Sequence, residues 1–177
     1  MDKESIRKKL KAERRALSAE DHGSLSRQII NRIFDVIDWA NIHSMHVYLP
    51  LEGQNEVDTL PFLKAARQLN PNVLIATSHH QSREIKTNWL DGDFKIAKKV
   101  PDGFQFGLVI VPMLAFDGRG YRLGFGGGFY DRFLATQPDA LRVGLCYEFG
   151  HQAENLPHEQ HDVPLDSIVT EKNIYKF

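Results

Sequence analysis

At 177 residues the chain has the length of one ordinary domain, long enough to bury about 70% of the surface exposed when it is unfolded. Its hydrophobic fraction of 42%, charged fraction of 25% and net charge of −1 are typical of a globular protein with no general attraction to nucleic acid or membranes. The single cysteine, Cys146, excludes an internal disulfide, and no apolar run approaches about 18 residues. Since no signal peptide is visible either, we expect a cytoplasmic protein.

The N-terminal part of the chain predicts two helices. Residues 3–17 combine a thin apolar stripe at helical spacing with seven basic residues, and such a charge run is most often a solvated face. Lys3 and Arg7 are four residues apart, so a helix would place them on one side, where they can reach one polyanion together. Ser18 has the features of an N-cap, and the apolar stripe that follows it, 25–37, belongs to the core.

A strand and a helix follow, joined by a loop with a candidate binding residue. Residues 45–49 predict the strand, and the loop after it contains Glu56. Because α/β sheets bind ligands at the carboxyl ends of parallel strands, Glu56 is a candidate, although a glutamate in a loop is by default only solvated. Asp58 or Thr59 is expected to cap the next helix, which has Pro61 in its first turn.

The rest of the chain alternates strands and helices. The predicted strands are 72–77, a short edge strand at 85–89 in the weakly patterned segment 79–105, 106–111, 141–146 and the short apolar piece 168–169. A helix is predicted near 128–136. This alternation predicts an α/β fold: one domain over 1–177, a three-layer sandwich with a mainly parallel sheet flanked by helices.

A glycine-rich loop between a strand and a helix is the most informative stretch. Four glycines fall within the five positions 124–128, bracketed by Arg122 and Arg132. Glycines let the backbone turn successive N–H groups toward phosphate, and the flanking arginines can add charge-assisted hydrogen bonds. Neither a dinucleotide fingerprint nor a Walker A loop matches, because Phe129 stands where the third glycine belongs and no Gly-Lys-Ser/Thr exists. A plain tight turn is the alternative.

Other chemistry has weaker support. Asp131, beside the loop, is the better metal candidate, because magnesium usually takes one or two carboxylates with nucleotide oxygens and water. The alternative is an ordinary first-turn carboxylate favoured by the helix dipole. His158 and His161 suggest zinc but lack a fourth ligand nearby, and no Gly-x-Ser-x-Gly elbow indicates a hydrolase.

The block 111–117 followed by 120–132 closely resembles the 5-formyltetrahydrofolate cyclo-ligase (methenyltetrahydrofolate synthetase) family. Weaker matches fall in the expected order, at Lys3 and Arg7, at 55–59, and at Leu156-Pro157 with Asp162 and Val169-Thr170 behind it. Together they span nearly the whole chain.

The resemblance implies an enzyme that uses Mg²⁺ and ATP to convert 5-formyltetrahydrofolate into 5,10-methenyltetrahydrofolate, ADP and phosphate. In that chemistry the formyl oxygen attacks the γ-phosphate, N10 closes the ring, and phosphate leaves. No covalent nucleophile is required. The partners implied are small molecules, without nucleic acid or membrane, and we expect a monomer.

The resemblance also assigns residues. Lys3 and Arg7 would contact ATP phosphates, and Glu56 would hold the pterin by its N–H donors. The residues of the nucleotide loop would be Arg122, Leu123, Gly124, Phe125, Gly126, Gly127, Gly128, Phe129, Tyr130 and Arg132. Of these, the residues also facing the folate would be Phe125, Gly126, Gly127, Gly128 and Phe129. Asp131 and Asp162 would serve magnesium.

One segment departs from the family pattern. Many relatives carry a longer piece between the 73–77 and 106–111 strands, often with a Glu-Pro pair, where this chain has Lys99-Val100-Pro101. Because that segment would line the folate side, two alternatives stay open: a related ATP-using ligase or kinase acting on another small amide or heterocycle, and a non-catalytic nucleotide- or RNA-binding relative. The intact glycine loop, Glu56 and Asp162 argue against lost catalysis.

Overall fold

The computed structural model describes residues 2–81 and 84–177. Within those ranges the α-helices are α1 (Lys3–Arg15), α2 (Ala19–Ile33), α3 (Leu60–Leu69) and α4 (Phe129–Ala135). The strands are β1 (Ser44–Val47), β2 (Leu74–Gln81), β3 (Glu84–Leu90), β4 (Ile96–Lys99), β5 (Leu108–Pro112), β6 (Ala115–Asp117), β7 (Arg122–Leu123), β8 (Leu141–Leu145), β9 (His151–Gln152), β10 (Ser167–Val169) and β11 (Ile174–Lys176).

The main sheet is parallel at its centre and antiparallel at both margins. Its strand order is β11-β10-β8-β5-β1-β2-β3-β4, with β10, β8, β5, β1 and β2 parallel to their neighbours within that run. β11, β3 and β4 join antiparallel. After β1 the chain adds β2 on one side of β1, toward one edge of the sheet. After β5 it adds β8 and then β10 on the other side, toward the opposite edge. The strand order therefore reverses between β1 and β5, where open α/β sheets form a ligand crevice.

Helices cover both faces of this sheet, which confirms the predicted three-layer α/β architecture. On one face, α2 and α3 pack Ile29 and Phe62 against sheet residues such as Met45. On the other face, α4 packs Leu134 against residues that include Val109. The apolar residues of α2 and of α3 recur at helical spacing, so the sequence of each helix accounts for the side that it buries.

Helix α1 belongs to neither layer. It packs Ile6 and Leu10 against Leu114, Ala115 and Leu123, next to a small second sheet with the order β7-β6-β9. The strands of that sheet have two or three residues each, too short for a recognisable hydrophobic pattern, and the sequence did not predict them. This small sheet holds α1 beside the glycine-rich loop, which begins directly after β7.

The structure corrects two details of the predicted fold. The expected edge strand at 85–89 is β3, which is paired on both sides, and the edge of the sheet is the exposed strand β4. Of the two residues predicted to cap α3, Thr59 stands at the N-cap but does not cap with its side chain, because its Oγ1 donates to the carbonyl oxygen of Tyr48. Asp58 does serve the start of the helix, since its Oδ1 accepts from the Leu60 N–H at 3.0 Å. Residues 82 and 83, which belong to the segment that differs from the family pattern, lie outside the described residues.

The first two helices agree with the sequence except at their ends. α1 ends two residues earlier than predicted, and the Ser18 Oγ accepts from the Asp21 N–H, which confirms Ser18 as the N-cap of α2. α2 ends at Ile33, so the predicted stripe residue Ile37 lies beyond it. In the two described stretches of chain, no helix combines the length and the hydropathy needed to cross a membrane.

Candidate active site

A narrow cleft lies where the central parallel strands end. Its wall is formed by residues at the carboxyl ends of β1, β5 and β8, together with side chains from α1 and from the loop after β1. The lining residues are Arg14, Tyr48, Glu56, Val57, Pro112, Met113, Leu145, Cys146 and Tyr147. The cleft has room for about one water molecule. It stands beside the point where the strand order reverses, so Glu56 occupies the position that the sequence predicted for a ligand-binding carboxylate.

Glu56 is buried, at 4% exposure, and is held by the backbone of its own loop. Its Oε2 accepts a hydrogen bond of 2.7 Å from the Leu51 N–H. Burial raises the pKa of the carboxyl group, and the Leu51 hydrogen bond and the charge of Arg14 oppose that shift. Oε1 accepts no hydrogen bond from any residue that the structure describes, and it remains available to a ligand donor.

The backbone around Glu56 is fixed by three side chains: one from α2, one that follows β8, and one from the start of the same loop. They donate to three consecutive carbonyl oxygens: Tyr147 to Asn55 at 3.0 Å, His22 to Glu56 at 2.7 Å, and Tyr48 to Val57 at 3.0 Å. These bonds satisfy backbone groups that have no strand partner in the loop. The loop is therefore rigid, and so is the position of the Glu56 carboxylate.

Asn55 links this loop to α1. Its backbone is left-handed, with φ of 46°, a conformation that asparagine tolerates better than most residues. Its Nδ2 donates to the carbonyl oxygens of Arg14 and Leu17, at 3.1 and 3.2 Å, where the end of α1 lacks helical partners. The end of α1 and the Glu56 loop are thus fixed relative to each other.

The glycine-rich loop lies against the first half of α1, away from the end that bonds to Asn55. Gly126 and Gly128 have φ of 105° and 63°, values at which a side chain is strained. The Arg7 Nε donates to the Gly124 carbonyl oxygen at 3.0 Å, and a Cβ on Gly126 would stand 3.5 Å from the Arg7 Cζ. Arg7 therefore lies directly against the loop, a contact that its position on the predicted helix did not by itself predict.

Lys3 lies one turn earlier on the same side of α1. Its Nζ is 3.6 Å from the Glu159 carboxylate and 3.8 Å from that of Asp162. The structure therefore brings the predicted residues Lys3, Arg7 and Asp162 to the region of the glycine loop.

Arg122 and Asp131 form an internal pair within the loop region. The Arg122 side chain is 5% exposed, its Nη2 donates to the Asp131 Oδ1 at 2.7 Å, and its Nη1 donates to the Val163 carbonyl oxygen. The Val163 N–H donates to the same Asp131 oxygen at 3.2 Å. Arg122 thus fixes the start of the loop to α4 and to residue 163. The more exposed Arg132 donates to the Gly127 carbonyl oxygen at 2.9 Å.

The aromatic residues of the loop face in different directions. Phe125 lies against α1, with the Arg14 Cζ 5.1 Å and the Lys11 Nζ 5.2 Å from its ring centroid. Phe129 stacks on Phe133, at a centroid distance of 5.5 Å. Tyr130 packs into both layers of the core, and burial raises the pKa of its phenol. Phe125 therefore lies between the glycine loop and the Glu56 cleft.

Comparison with known proteins places this arrangement in one family. The model of the 5-formyltetrahydrofolate cyclo-ligase family matches residues 1–171. The chain belongs to this family. The 5-formyltetrahydrofolate cyclo-ligase of Escherichia coli K12 is 30% identical, with 95% of this chain and all of that protein covered. That of Haemophilus influenzae is 27% identical, with coverage of 94% and 96%.

Solved structures agree with this assignment. The 5,10-methenyltetrahydrofolate synthetase of Mycoplasma pneumoniae superposes with a TM-score of 0.78 at 25% identity, covering 97% of this chain and 99% of that one. The enzyme of Aquifex aeolicus gives a TM-score of 0.77 at 31% identity, with coverage of 99% and 93%. The fold of this cyclo-ligase family member is therefore that of methenyltetrahydrofolate synthetases.

The carboxylates predicted to serve magnesium fit a metal ion that arrives with a nucleotide. Over 2–81 and 84–177, no group of three or more His, Cys, Asp or Glu side chains stands ready to hold an ion. Magnesium needs only one or two carboxylates when phosphate oxygens and water complete its shell. Asp131 has one carboxylate oxygen that accepts from Arg122, and Asp162 lies near Lys3. Both are thus beside the predicted phosphate contacts of this family member.

Sequence reasoning missed the residues that shape the cleft. Tyr48 directly follows β1 and Tyr147 stands two residues after β8, but a place after a strand was used as a signal for Glu56 alone. Arg14 was treated as part of a solvated basic run, although it lies seven residues after Arg7 and so shares its side of a helix. His22 falls within the predicted second helix but was not considered as a site residue, and its hydrogen bond to the Glu56 carbonyl oxygen was not predicted.

Proposed function

We propose that this protein converts 5-formyltetrahydrofolate into 5,10-methenyltetrahydrofolate at the expense of ATP, with release of ADP and phosphate. The observation that carries the proposal is that one helix, α1, contributes to both parts of the site. Arg7 is hydrogen-bonded to the glycine loop, and the last turn of α1 is bonded to the loop of Glu56. Seven helical residues span about 10 Å, a suitable separation for two substrates that must meet.

The glycine loop is proposed to bind the ATP phosphates, with Lys3 and Arg7 as its cations. Both side chains reach the loop region from one side of α1, and charge-assisted bonds to phosphate are the strong ones. Arg122 contributes by fixing the loop through its internal bonds, since two of its nitrogens already donate within the protein. Asp131 and Asp162 would hold Mg²⁺, which neutralises negative charge on the nucleotide when bound.

The Glu56 cleft is proposed to bind the pterin. A carboxylate accepts two hydrogen bonds side by side, and a pterin presents adjacent ring N–H and amino donors. Oε1 faces no donor among the described residues, while Oε2 is oriented by Leu51. The fixed backbone around Glu56 sets the position of the carboxylate, whereas the cleft, which has room for about one water molecule, must widen by movement of its side chains to admit the pterin ring.

The chemistry requires positioning of two substrates. The formyl oxygen attacks the γ-phosphorus, an O–P bond forms, and the bond to the ADP oxygen breaks. N10 then attacks the activated formyl carbon, the N10 proton is lost, and the C–O bond breaks with departure of phosphate. Orientation and charge neutralisation supply the catalysis. The thiol in the cleft, Cys146, is buried, and burial raises its pKa, so it remains protonated and is no nucleophile.

The experiment is a direct assay of product. Protein, Mg-ATP and 5-formyltetrahydrofolate are mixed, and the absorbance of methenyltetrahydrofolate is followed together with phosphate release. We expect one phosphate per product and no product without ATP. 5-Methyltetrahydrofolate is the matched control substrate, because it lacks the formyl oxygen and should release no phosphate. If the folded protein binds Mg-ATP but makes no methenyltetrahydrofolate, the proposal is wrong.

A further inference from the structure

Arg14 is an unusual residue in the cleft because its charge is buried and its donors are unused. The side chain is 3% exposed, and neither Nε nor Nη2 has a hydrogen-bond partner in the described part of the chain. No carboxylate in these ranges lies within 4.0 Å of its guanidinium. Buried polar groups are nearly always paired, and an unpaired buried charge is costly.

The surroundings offset the charge of Arg14 without satisfying its donors. The negative charge of Glu56 opposes the effect of burial on the pKa of the guanidinium, and Phe125 lies over the cation. Tyr48 and Tyr147, which also line the cleft, direct their hydroxyl groups to loop carbonyl oxygens. Free N–H groups therefore remain at the wall of a cleft that already contains an accepting carboxylate.

We infer that Arg14 donates to the ring carbonyl oxygen of the pterin whose neighbouring N–H groups are accepted by Glu56. The inference rests on the proposed function and deepens it by naming what selects the heterocycle. A guanidinium only donates and a carboxylate only accepts, so together they match an edge that presents C=O beside N–H. The Asn55 side chain fixes their spacing, because it binds the Arg14 carbonyl oxygen and precedes Glu56.

The competing reading is that Arg14 only balances the Glu56 charge. Removing it would then weaken the fold and the carboxylate's ionisation, but it would leave the choice between heterocycles unchanged. A contact to the ring oxygen instead sets a preference for a 4-oxo over a 4-amino ring, because an amino group there would meet another donor. The relative affinity for 4-oxo and 4-amino rings is thus the measurement that decides between the two interpretations.

The test compares Arg14→Met and Arg14→Lys with Arg15→Met. Arg15 is the matched control, because it is the next arginine of α1, is exposed, and bonds to Gln54 outside the cleft. We expect Arg14→Met to raise the KM for 5-formyltetrahydrofolate by about 10- to 100-fold with the KM for ATP nearly unchanged. Competition by tetrahydropterin and by its 2,4-diamino counterpart should show a clear 4-oxo preference in the wild type and in Arg15→Met, and little in Arg14→Met.

Each outcome decides the inference. An unchanged 4-oxo preference in a folded Arg14→Met would overturn it, as would equal rises in both KM values. If Arg14→Met does not fold, Arg14→Lys decides, since it keeps the charge but lacks the planar fork and should lose much of the preference. Absence of turnover by the wild type would overturn the proposed function and this inference together, whereas an inert Arg14 in an active enzyme overturns the inference alone.

Discussion

The two parts of the candidate site are built on opposite principles. At the phosphate part, Gly126 and Gly127 are exposed, and the cations Lys3 and Arg7 reach in on long side chains. At the cleft, Glu56 is buried and the carbonyl oxygens beside it are bonded to fixed aromatic side chains. The first part can adapt to a charged, flexible ligand. In the second, the backbone and the Glu56 carboxylate are set before the ligand arrives, and only the surrounding side chains have to move aside.

This difference indicates where selectivity resides. Phosphate is recognised by charge, which tolerates small shifts in position, whereas a heterocycle is recognised by matched donors and acceptors, which do not. A buried carboxylate and a buried guanidinium also destabilise the fold unless a ligand satisfies them. We therefore expect changes at the phosphate part to alter ATP affinity, and changes at the cleft to alter folate use and, in the opposite sense, stability.

The largest expected effect tests the phosphate part. Gly126→Val forces a β-branched residue to a φ of 105°, which strains the loop backbone, and it puts the added side chain in contact with the Arg7 guanidinium. ATP binding, measured by calorimetry, should fall below detection, with a loss of about 1–3 kcal/mol in the free energy of unfolding.

Gly103→Val is the control for Gly126→Val. Gly103 has φ of 78° and open space around it, so the same backbone strain is introduced away from the site. Gly103→Val should therefore lose a similar free energy of unfolding while still binding ATP. Undiminished ATP affinity in folded Gly126→Val would remove the loop from the phosphate site.

The next effect tests the cleft. Glu56→Gln keeps the side-chain size and can still accept from Leu51, but it turns a donor toward the pterin. We expect kcat/KM for 5-formyltetrahydrofolate to fall by about 2–4 kcal/mol, or about 30- to 900-fold, with ATP binding nearly unchanged. Glu52→Gln, an exposed residue of the same loop, should match the wild type. Full folate turnover by Glu56→Gln would contradict the assigned role.

A smaller effect is expected from the cations of α1. Arg7→Met removes the bond to Gly124 and one charge-assisted contact to phosphate, and should raise the KM for ATP by about 10- to 100-fold. Steady-state kinetics with each substrate varied in turn should leave the KM for folate unaffected. Lys8→Met is the control, because it removes an exposed charge one residue further along α1. A rise of equal size in both KM values would show that Arg7 does not act on ATP alone.

The smallest effect concerns pH and stability. Burial raises the folded-state pKa of Glu56, so the folded protein binds this proton more tightly than the unfolded chain does. The contribution of Glu56 to stability therefore decreases as pH rises from its ordinary value of 4.5 through the raised pKa, and above that window it is constant and unfavourable.

Thermal denaturation measures this contribution. At neutral pH the Tm of Glu56→Gln should be at or above that of the wild type, and the difference should shrink as pH falls toward 4.5. The wild-type kcat/KM for folate should decrease over the same pH range, since protonation removes an acceptor. A Tm gap that widens on acidification would contradict the sign of this linkage.

Local patterns were sufficient to predict most of the fold. The apolar runs and helix caps predicted the parallel strands and α2, because those signals depend on neighbours in sequence. The glycine cluster between a strand and a helix likewise predicted the loop. The order of the strands and the small sheet of β6, β7 and β9 were not accessible, since short strands are stabilised by partners far away in the chain.

The site was predictable only in part, for the same physical reason. Glu56 was a candidate from its place after a strand, and helical spacing put Lys3 and Arg7 on one side of α1, but only the family resemblance gave these residues their roles. The pairing of Arg122 with Asp131 did not, because a charge beside a glycine loop suits a phosphate as well as a carboxylate. Arg14 is the clearest case, since nothing local separates a buried arginine from six exposed or half-exposed basic neighbours.

The docking of α1 has a consequence for the order in which the protein is made. Arg7 bonds to Gly124, 117 residues later, and the apolar side of α1 packs against Leu123 and Leu156. An isolated helix of 13 residues is marginal in water, so α1 leaves the ribosome long before anything can hold it. Contacts of such long sequence separation form late. The nascent chain therefore becomes competent to bind nucleotide only when nearly all of it has been synthesised.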